Sequence, residues 1–383
     1  MVLKAAIISL GSKSSQMTAD AMAQYFDSVD MINLKEVEVI LGKNSGVYYQ
    51  GKLLPYYDCI YVKGSFRYAH LLRSITSLLE GKIPYLPLPA HAFTVVHNKL
   101  LTHLALQQMD IAMPRTYVSP TSDAARELLQ QVNYPIVMKF PEGTQGKGVM
   151  FADSYASASS LLDALGALNQ PFIIQEYVES GGKDIRVLVI GGKAVAAMQR
   201  RAKKEEKRAN LHAGGSGESV MITREVAHLA VKTAKALNSD VCGVDILDGP
   251  FGPMVIEANI SPGLQGLSKV STVNIPNEIA RYFFEKTSEV VSEKKRIAGR
   301  SVMEELNLVP SKNPSQELIT NLRFKGEKIV LPELVTKMTQ FSEINNYKIK
   351  VAKGKLEIEE FKVWANLVFH MACIIDVFTK FTH

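Results

Sequence analysis

Apolar positions along this chain come in short runs broken by Gly, Pro and Ser, with stretches of helical spacing between many of them. The first run, at 5–10, reads as a strand, and a Gly-Ser turn leads from it to a predicted helix over 18–26. VDMINL, VYYQGKLLP and DCIYVKG follow as predicted strands, and the spacing at 69–79 predicts a helix. Strands alternating with helices predict an α/β unit. IPYLPLPA, at 83–90, holds too many prolines for regular structure and marks a boundary. Beyond it the pattern predicts helices over 99–109, 122–132 and 156–168. Strands are predicted at RTYVS, YPIVMKF, GVMFAD, PFIIQEYV, DIRVLVIGG and KAVAAMQRRA. A helical stretch at 224–237 precedes GVDILDGPFGPMVIEANISPGL, two apolar runs about a DGPFG turn, which is a hairpin pattern. The mixture predicts α+β domains with largely antiparallel sheets, in which one face can carry polar groups.

Past residue 290 the pattern changes. SEKKRIAGR, at 292–300, reads as a linker or an exposed helix end, and a distinct α+β module follows. Within it NLRFKGEKIVLPELVTKM and KIKVAKGKLEIEEFKVW each read strand, Lys-Gly turn, strand, acidic helix start, helix, a short ββα repeat. The apolar run from Val363, VWANLVFHMACIIDVF, contains Asn366, His370 and Asp376. It falls short of a membrane span and reads as a buried helix or one seeking a partner.

Composition narrows the classes. A chain of 383 residues has room for two or three domains, and 46% hydrophobic with 21% charged residues is ordinary for a globular protein. A net charge of +6 suits an anionic ligand and is too small to imply nucleic-acid binding by itself. Cys59, Cys242 and Cys373 are far apart and odd in number, which excludes a disulfide framework and a Cys-based metal site. A reducing, cytoplasmic compartment is the expectation. MVLKAAIISLGS lacks a cleavage pattern after its short apolar stretch and reads as a first strand, not a signal peptide.

The hairpin poses the chemical question. It places Asp245, Glu257 and Asn259 among Val, Ile, Leu and Met, and a buried carboxylate must be neutralised by a cation or a proton. If the hairpin is symmetric about Phe251, Asp245 faces Glu257, and Asn259 shares the face of Glu257. No basic residue lies between Gly243 and Leu264. Three convergent oxygen donors suit a hard cation such as Mg²⁺; a polar sheet face turned to solvent is the plain alternative. Upstream, KFPEGTQGKGV, at 139–149, sets three glycines and Lys147 between two predicted strands. Such a loop lets backbone N–H groups approach phosphate oxygens while Lys139 and Lys147 supply charge, although it is not a Walker loop. QRRAKKEEKRANLHAGG, at 199–215, is the most basic segment. It could be a solvated face or a nucleic-acid contact, or its arginines could stabilise a transferring phosphoryl group.

These motifs, in this order, resemble those of the ATP-grasp ligases, and most closely the RimK-type glutamate ligases. The resemblance is carried by KFPEGTQGKGV, IIQEYVESGGKDIRVLVIGG, RRAKKEEKRANLHAGG and GVDIL…VIEANISPGLQG. It is best over 135–267, looser over 4–286, and excludes the C-terminal module. It implies an ATP-grasp fold: an N-terminal Rossmann-like α/β domain at 1–90, an ATP-grasp domain at 91–287 with a lid at about 115–170, a linker at 288–300 and a small module at 301–383. It implies an ATP-dependent carboxylate–amine ligase working through an acyl phosphate, with Mg²⁺ or Mn²⁺, two ions, as cofactor.

Residue by residue, the resemblance puts Lys99 and Lys139 on ATP phosphates, Glu176 and Tyr177 at the adenine, and Asp184 at the ribose or nearby polar groups. Arg208 and Asn210 match phosphate-side positions, and Asp245, Glu257 and Asn259 match metal ligands. Arg200, with Ser261 and Gly263, would face the acyl phosphate and the amino acid. His97, His103 and His212 have no catalytic part in such chemistry.

The chain departs from the family at VKGSFR (62–67), at PLPA, and at Asn98, where relatives often carry Asp. These departures leave the ATP and metal positions intact and bear on the acceptor. The expected partners are L-glutamate and a carboxylate acceptor, either a ribosomal protein tail or a coenzyme, and a second copy of the chain. No membrane is expected, and no nucleic acid except through a ribosomal acceptor. Competing readings are an ATP-binding protein that serves RNA or ribosome binding without ligation, an ATP-grasp kinase, and a ligase for another amino acid.

Overall fold

A computed structural model describes residues 2–143, 148–168, 171–201 and 216–305, and in the C-terminal part 323–326, 328–331, 333–339, 341–342, 345–352 and 355–360. The chain divides into a unit spanning Met1–Met303 and a second spanning Glu304–His383. The first begins with β1 (Lys4–Ser9), α1 (Lys13–Met22) and β2 (Ser28–Asn33). The helix starts earlier than predicted. Ser12 caps it by accepting from the Ser15 N–H at 3.2 Å, so serines that read as a turn form its first turn, and Phe26 packs in the core beyond its end. Next come β3 (Val37–Ile40), β4 (Gly46–Tyr49) and β5 (Lys52–Leu53), an antiparallel set. VYYQGKLLP, predicted as one strand, is a hairpin, because Gln50 and Gly51 both take positive φ (51° and 74°). β6 (Cys59–Val62) then pairs in parallel with β1, giving the order β2–β1–β6.

α2 (Ala69–Leu79), α3 (Ala90–Val96) and α4 (Lys99–Gln108) follow. Asn98 caps α4, its Oδ1 accepting from the Leu101 N–H at 3.1 Å, a role an Asp would fill equally well. In the proline-rich stretch Ile83, Tyr85 and Leu88 are buried, and the Tyr85 hydroxyl donates to Asp240 at 2.6 Å.

A four-stranded antiparallel sheet with its own apolar core follows. It contains β7 (Thr116–Tyr117), α5 (Ser122–Leu129), β8 (Ile136–Lys139), β9 (Val149–Ala152), α6 (Tyr155–Ala167) and β10 (Ile173–Glu176), in the order β7–β10–β8–β9. The core comprises Leu129, Ile136, Met138, Leu162, Leu165 and Ile174 among others, separate from the main one.

The main antiparallel sheet contains β11 (Lys183–Ile190), β12 (Lys193–Arg201), β13 (Ser216–Ser219), and, after α7 (Arg224–Ala236), β14 (Val241–Gly249) and β15 (Gly252–Asn259). Its order is β13–β12–β11–β14–β15, and it shares one hydrophobic core with the parallel sheet. Cys59 and Cys242 are free thiols in that core; Cys373 lies outside the described residues.

α8 (Gln265–Val270) leads to α9 (Ile275–Glu305), which runs unbroken through 288–300. The expected linker is therefore helix. Val291 still packs in the main core, residues 292–298 are exposed, and an i,i+3 pair, Arg296–Glu293 at 2.7 Å, supports this exposed helix end, the other reading of 292–300.

The second unit shows β16 (Arg323–Lys325), β17 (Lys328–Val330), α10 (Glu333–Thr339), β18 (Tyr347–Ala352) and β19 (Lys355–Glu360). The strands form two separate hairpins, matching the strand–turn–strand halves of the predicted repeat. The apolar run from Val363 lies outside the described residues. Among the described residues no helix is long and apolar enough to cross a membrane.

Candidate active site

Four strands of the main sheet set a row of charge across one face. Arg200 of β12 is directly opposite Asp184 of β11, Arg186 of β11 is opposite Asp245 of β14, and Asp245 is opposite Glu257 of β15. The last pairing depends on a β-bulge. From the turn outward the register is Gly249↔Gly252 through Ile246↔Val255, a count that would bring Ile256 opposite Asp245. One extra residue in β15 puts Glu257 there instead. The predicted pairing is thus observed, but not through a symmetric hairpin.

Burial follows the same shift. Pro253 and Val255 are buried before the bulge, Ala258 and Ile260 after it, which leaves Glu257 and Asn259 on the opposite face.

Basic side chains that the hairpin itself lacks arrive from β11 and β12. Arg186 donates to Asp245 through Nε (2.7 Å) and Nη2 (2.6 Å), and Arg200 Nη2 lies 2.8 Å from the same carboxylate. Arg200 also donates to Asp184 through Nε at 2.6 Å and through Nη2 at 2.5 Å. Burial by itself would raise the Asp245 carboxyl, but the two guanidiniums outweigh it and hold the group below the usual carboxylate range. Asp184 moves the other way: burial and the charge of Asp245 outweigh its hydrogen bonds to Arg200 and raise it. With every carboxyl ionised, Asp184, Asp245 and Glu257 against Arg186 and Arg200 leave one negative charge in excess.

That excess lies at the Glu257 end. Glu257 makes no hydrogen bond or ion pair among the described residues, and its charge acts on Lys99 and Lys139. Lys139, at the end of β8, donates to Gln175 Oε1 at 2.6 Å, and Gln175 in turn donates to Thr116 Oγ1 at 2.8 Å. Burial pushes the Lys139 ammonium down to about 8, against the pull of Glu257 and with the repulsion of Lys99. Lys99 is lowered as well, chiefly by burial, and donates to the Gly143 carbonyl of the Gly-rich loop at 2.9 Å. Gly148 closes that loop at φ 75°, where a Cβ would lie 2.2 Å from the Phe140 ring, so only glycine fits. Glu176 accepts from the Tyr117 hydroxyl at 2.8 Å.

One cavity of about 750 Å³ gathers these groups. It is lined by Lys99, Lys139, Glu176, Tyr177, Asp184, Arg200, Asp245, Glu257, Asn259, Ser261 and Gly263, all singled out from the sequence. Arg208 and Asn210, together with Lys147 and His212, lie outside the described residues. Asp184, set by the resemblance at the ribose or nearby polar groups, spends both carboxylate oxygens on Arg200.

Among the lining residues that the sequence did not single out as site residues are Arg186 and Lys63. Arg186 was open to discovery, because DIRVLVI places it two residues from Asp184, hence on the same strand face, within an otherwise apolar run. His103 also lines the cavity, 3.2 Å from Gln175 Nε2; burial and the Lys139 charge push its imidazole down to about 4, so it is neutral at physiological pH.

The donor set fits a hard cation. A carboxylate offers about four lone-pair sites. Asp245 uses three of these on guanidinium N–H groups, leaving one on Oδ1. Glu257 is uncommitted among the described residues, and Asn259 Oδ1 accepts from the Ser261 N–H at 2.8 Å. No group of three His, Cys, Asp or Glu side chains among the described residues could hold a metal, so an ion here would need the amide and ligand oxygens as well.

If Lys139 meets ATP phosphates, as the resemblance implies, removing its charge should weaken nucleotide binding. Lys139→Met is expected to lower ADP affinity by about 10- to 100-fold, the worth of a charge-assisted hydrogen bond. In the unsubstituted protein that affinity should fall as pH rises through about 8, where the ammonium loses its proton, and the variant should lack this step. Calorimetric ADP titrations between pH 7 and about 9.5 read both effects.

Comparison with known proteins agrees with this architecture. The chain superimposes with a TM-score of 0.58 on a structure of the ATP-grasp ligase PsnB complexed with minimal precursor, Mg and ADP, at 17% identity, over 74% of this chain and 98% of that one. The shared fold is that of the ATP-grasp enzymes.

A RimK-like ATP-grasp domain is matched over residues 96–283. A probable alpha-L-glutamate ligase of Marinomonas sp. is 33% identical over 302 residues, covering 78% of this chain and 100% of the relative. The ribosomal protein bS6–L-glutamate ligase of Escherichia fergusonii is 37% identical over 244 residues, covering 62% of this chain and 80% of the relative. A probable alpha-L-glutamate ligase of Thioalkalivibrio sulfidiphilus is 44% identical over 193 residues, half of this chain, and the match spans 64% of that relative's length. The chain belongs to the RimK-like ATP-grasp family and is an ATP-dependent ligase that forms an amide bond.

Proposed function

We propose that this ligase adds L-glutamate to a carboxylate acceptor, a protein C-terminus or a coenzyme, through an acyl phosphate. The observation that carries the reading is the charge row ending at Glu257, in one cavity with Lys99 and Lys139. The acceptor carboxylate attacks the γ-phosphorus of ATP, the bond to the β-phosphate oxygen breaks, and ADP leaves. The amine of glutamate then attacks the acyl carbon, phosphate departs with the bonding pair, and the amine loses a proton.

Neither step needs a nucleophile from the protein; both need charge neutralised and reactants aligned. Lys139 and Lys99 hold phosphate oxygens, each held in place by an acceptor, Gln175 Oε1 and the Gly143 carbonyl. Glu176 and Tyr177 border the adenine. Arg200 faces the acyl phosphate, with Asp184 and Asp245 fixing its guanidinium from two sides. Asp245, Glu257 and Asn259 would hold Mg²⁺ or Mn²⁺, which when bound neutralises phosphate oxygens. Glutamate as the amine is supported by the names of the relatives, and the ISPGL segment after β15 is the amino-acid side of the cavity.

The test is mass spectrometry of a cell extract incubated with the protein, ATP, Mg²⁺ and isotopically labelled L-glutamate. One acceptor should gain a glutamyl mass increment that depends on ATP. Phosphate release without labelled product would refute the assignment of glutamate.

A further inference from the structure

Lys63 is a buried cation that the reaction scheme above leaves unused. It is 5% exposed, directly follows β6 and lines the cavity. No carboxylate or other acceptor among the described residues meets its Nζ, whose one recorded contact is the Tyr61 ring, 5.5 Å from its centroid. An uncompensated ammonium in such a place is costly, and burial lowers it to about 8, so it remains largely cationic at pH 7. Its neighbours are also suited to an anion. Ser12, Ser14 and Ser15, at the start of the ten-residue α1, line the same cavity, and the first-turn N–H groups of a helix attract negative charge.

The topology agrees. In the order β2–β1–β6 the chain leaves β1 toward β2 and later crosses to β6 on its other side. The carboxyl ends of β1 and β6 therefore flank a switch point, where open α/β sheets take their ligands. Two hydrogen bonds fasten this corner to the segment after β15: the Gly64 N–H donates to Ser261 Oγ at 3.2 Å, and the Leu264 N–H to Ser14 Oγ at 2.9 Å.

We propose that Lys63 and the first turn of α1 form a carboxylate-binding corner of the active site that positions an organic substrate beside Ser261. The proposal rests on the ligase reading, and supplies a function for VKGSFR, one of the places where this chain departs from its relatives. Both substrates of such a ligase carry carboxylates, the incoming amino acid and the acceptor. Phosphates of the nucleotide belong to Lys99 and Lys139 and are not the ligand of Lys63.

The test is calorimetric titration of the full chain, saturated with ADP and Mg²⁺, with L-glutamate and separately with Ala-Ala-Glu bearing a free C-terminus. Lys63→Met should lose roughly tenfold or more in affinity for one of them, as expected for a charge-assisted bond. Lys63→Arg should recover most of it, and ADP affinity should be unchanged in both. Loss for glutamate assigns the corner to the amino acid; loss for the tripeptide assigns it to the acceptor. Since Met keeps the length and removes a lone buried charge, the variant should melt no lower than the parent. Unchanged affinity for both carboxylates, or an equal loss for ADP, overturns the proposal. Failure of the unsubstituted protein to bind either ligand would overturn the substrate reading on which it rests.

Discussion

Glu257→Gln is expected to lower amide formation roughly a thousandfold while leaving the melting temperature within about 2 °C of the parent. The two halves of this expectation have separate causes. Glu257 supplies the excess negative charge of the row, so the neutral amide removes what would hold a cation against the phosphates. Yet its carboxylate bonds to nothing among the described residues, and losing it relieves Asp245 of a like charge opposite. Quantifying labelled product by mass spectrometry, with a thermal melt alongside, decides the matter. More than about a tenth of parental activity would overturn the proposal that Glu257 holds a metal ion.

Arg200→Met should behave oppositely, losing stability as well as activity. Arg200 is 5% exposed and, among the described residues, is the one side chain bonded to both Asp184 and Asp245. Removing one partner of a buried ion cluster typically costs about 3–5 kcal/mol. Among the described residues the two carboxylates would be left with Arg186 alone, which hydrogen-bonds only Asp245.

The pH dependence of this loss has a definite sign. Asp184 is already raised in the folded protein by burial and by Asp245; without Arg200 it rises further. A carboxyl raised on folding takes up its proton first in the native state, so lowering the pH favours folding. The destabilisation should therefore be largest at neutral pH and shrink as the solution is acidified toward the unfolded carboxyl value near 4, about where aspartate ordinarily titrates. Urea midpoints of variant and parent at several pH values check this. An Asp184→Asn change in the Arg200→Met background should restore part of the loss at neutral pH, since an amide in place of the carboxylate carries no charge to leave unpaired.

Local chemistry was readable in the sequence where partners lie close along the chain. The hairpin about DGPFG, the helices at 69–79 and 224–237, and the glycine loop at 139–149 all rest on short-range signals. Non-local partners were not. Nothing between Gly243 and Leu264 shows that Asp245 is met by two guanidiniums, because Arg186 and Arg200 come from strands that only the sheet order brings alongside. The same is true of Lys63, which lies nearly two hundred positions before Ser261 yet shares its corner of the cavity. Ser12 misled for a different reason: a serine cluster after glycine suits both a turn and a helix start, and only the Ser15 N–H it accepts decides between them. At 292–300 the sequence left a linker and an exposed helix end both open, because residues 292–298, all exposed, carry no apolar stripe to decide between them.

The bulge in β15 has a consequence for how this site can change over time. Strand side chains obey parity, and the inserted residue reverses that parity once, at Ile256. On the turn side of it the odd-numbered positions Pro253 and Val255 are core; past it the even-numbered Ala258 and Ile260 are. A point substitution keeps the count and can alter only one side chain. Losing a single residue between Gly252 and Glu257 can be absorbed by the bulge itself, which leaves Glu257 opposite Asp245 and Val255 and Ala258 in the core. Gaining one has no such outlet: without a second bulge it exchanges the two faces, driving the carboxylate into the core and Ala258 toward the ligand.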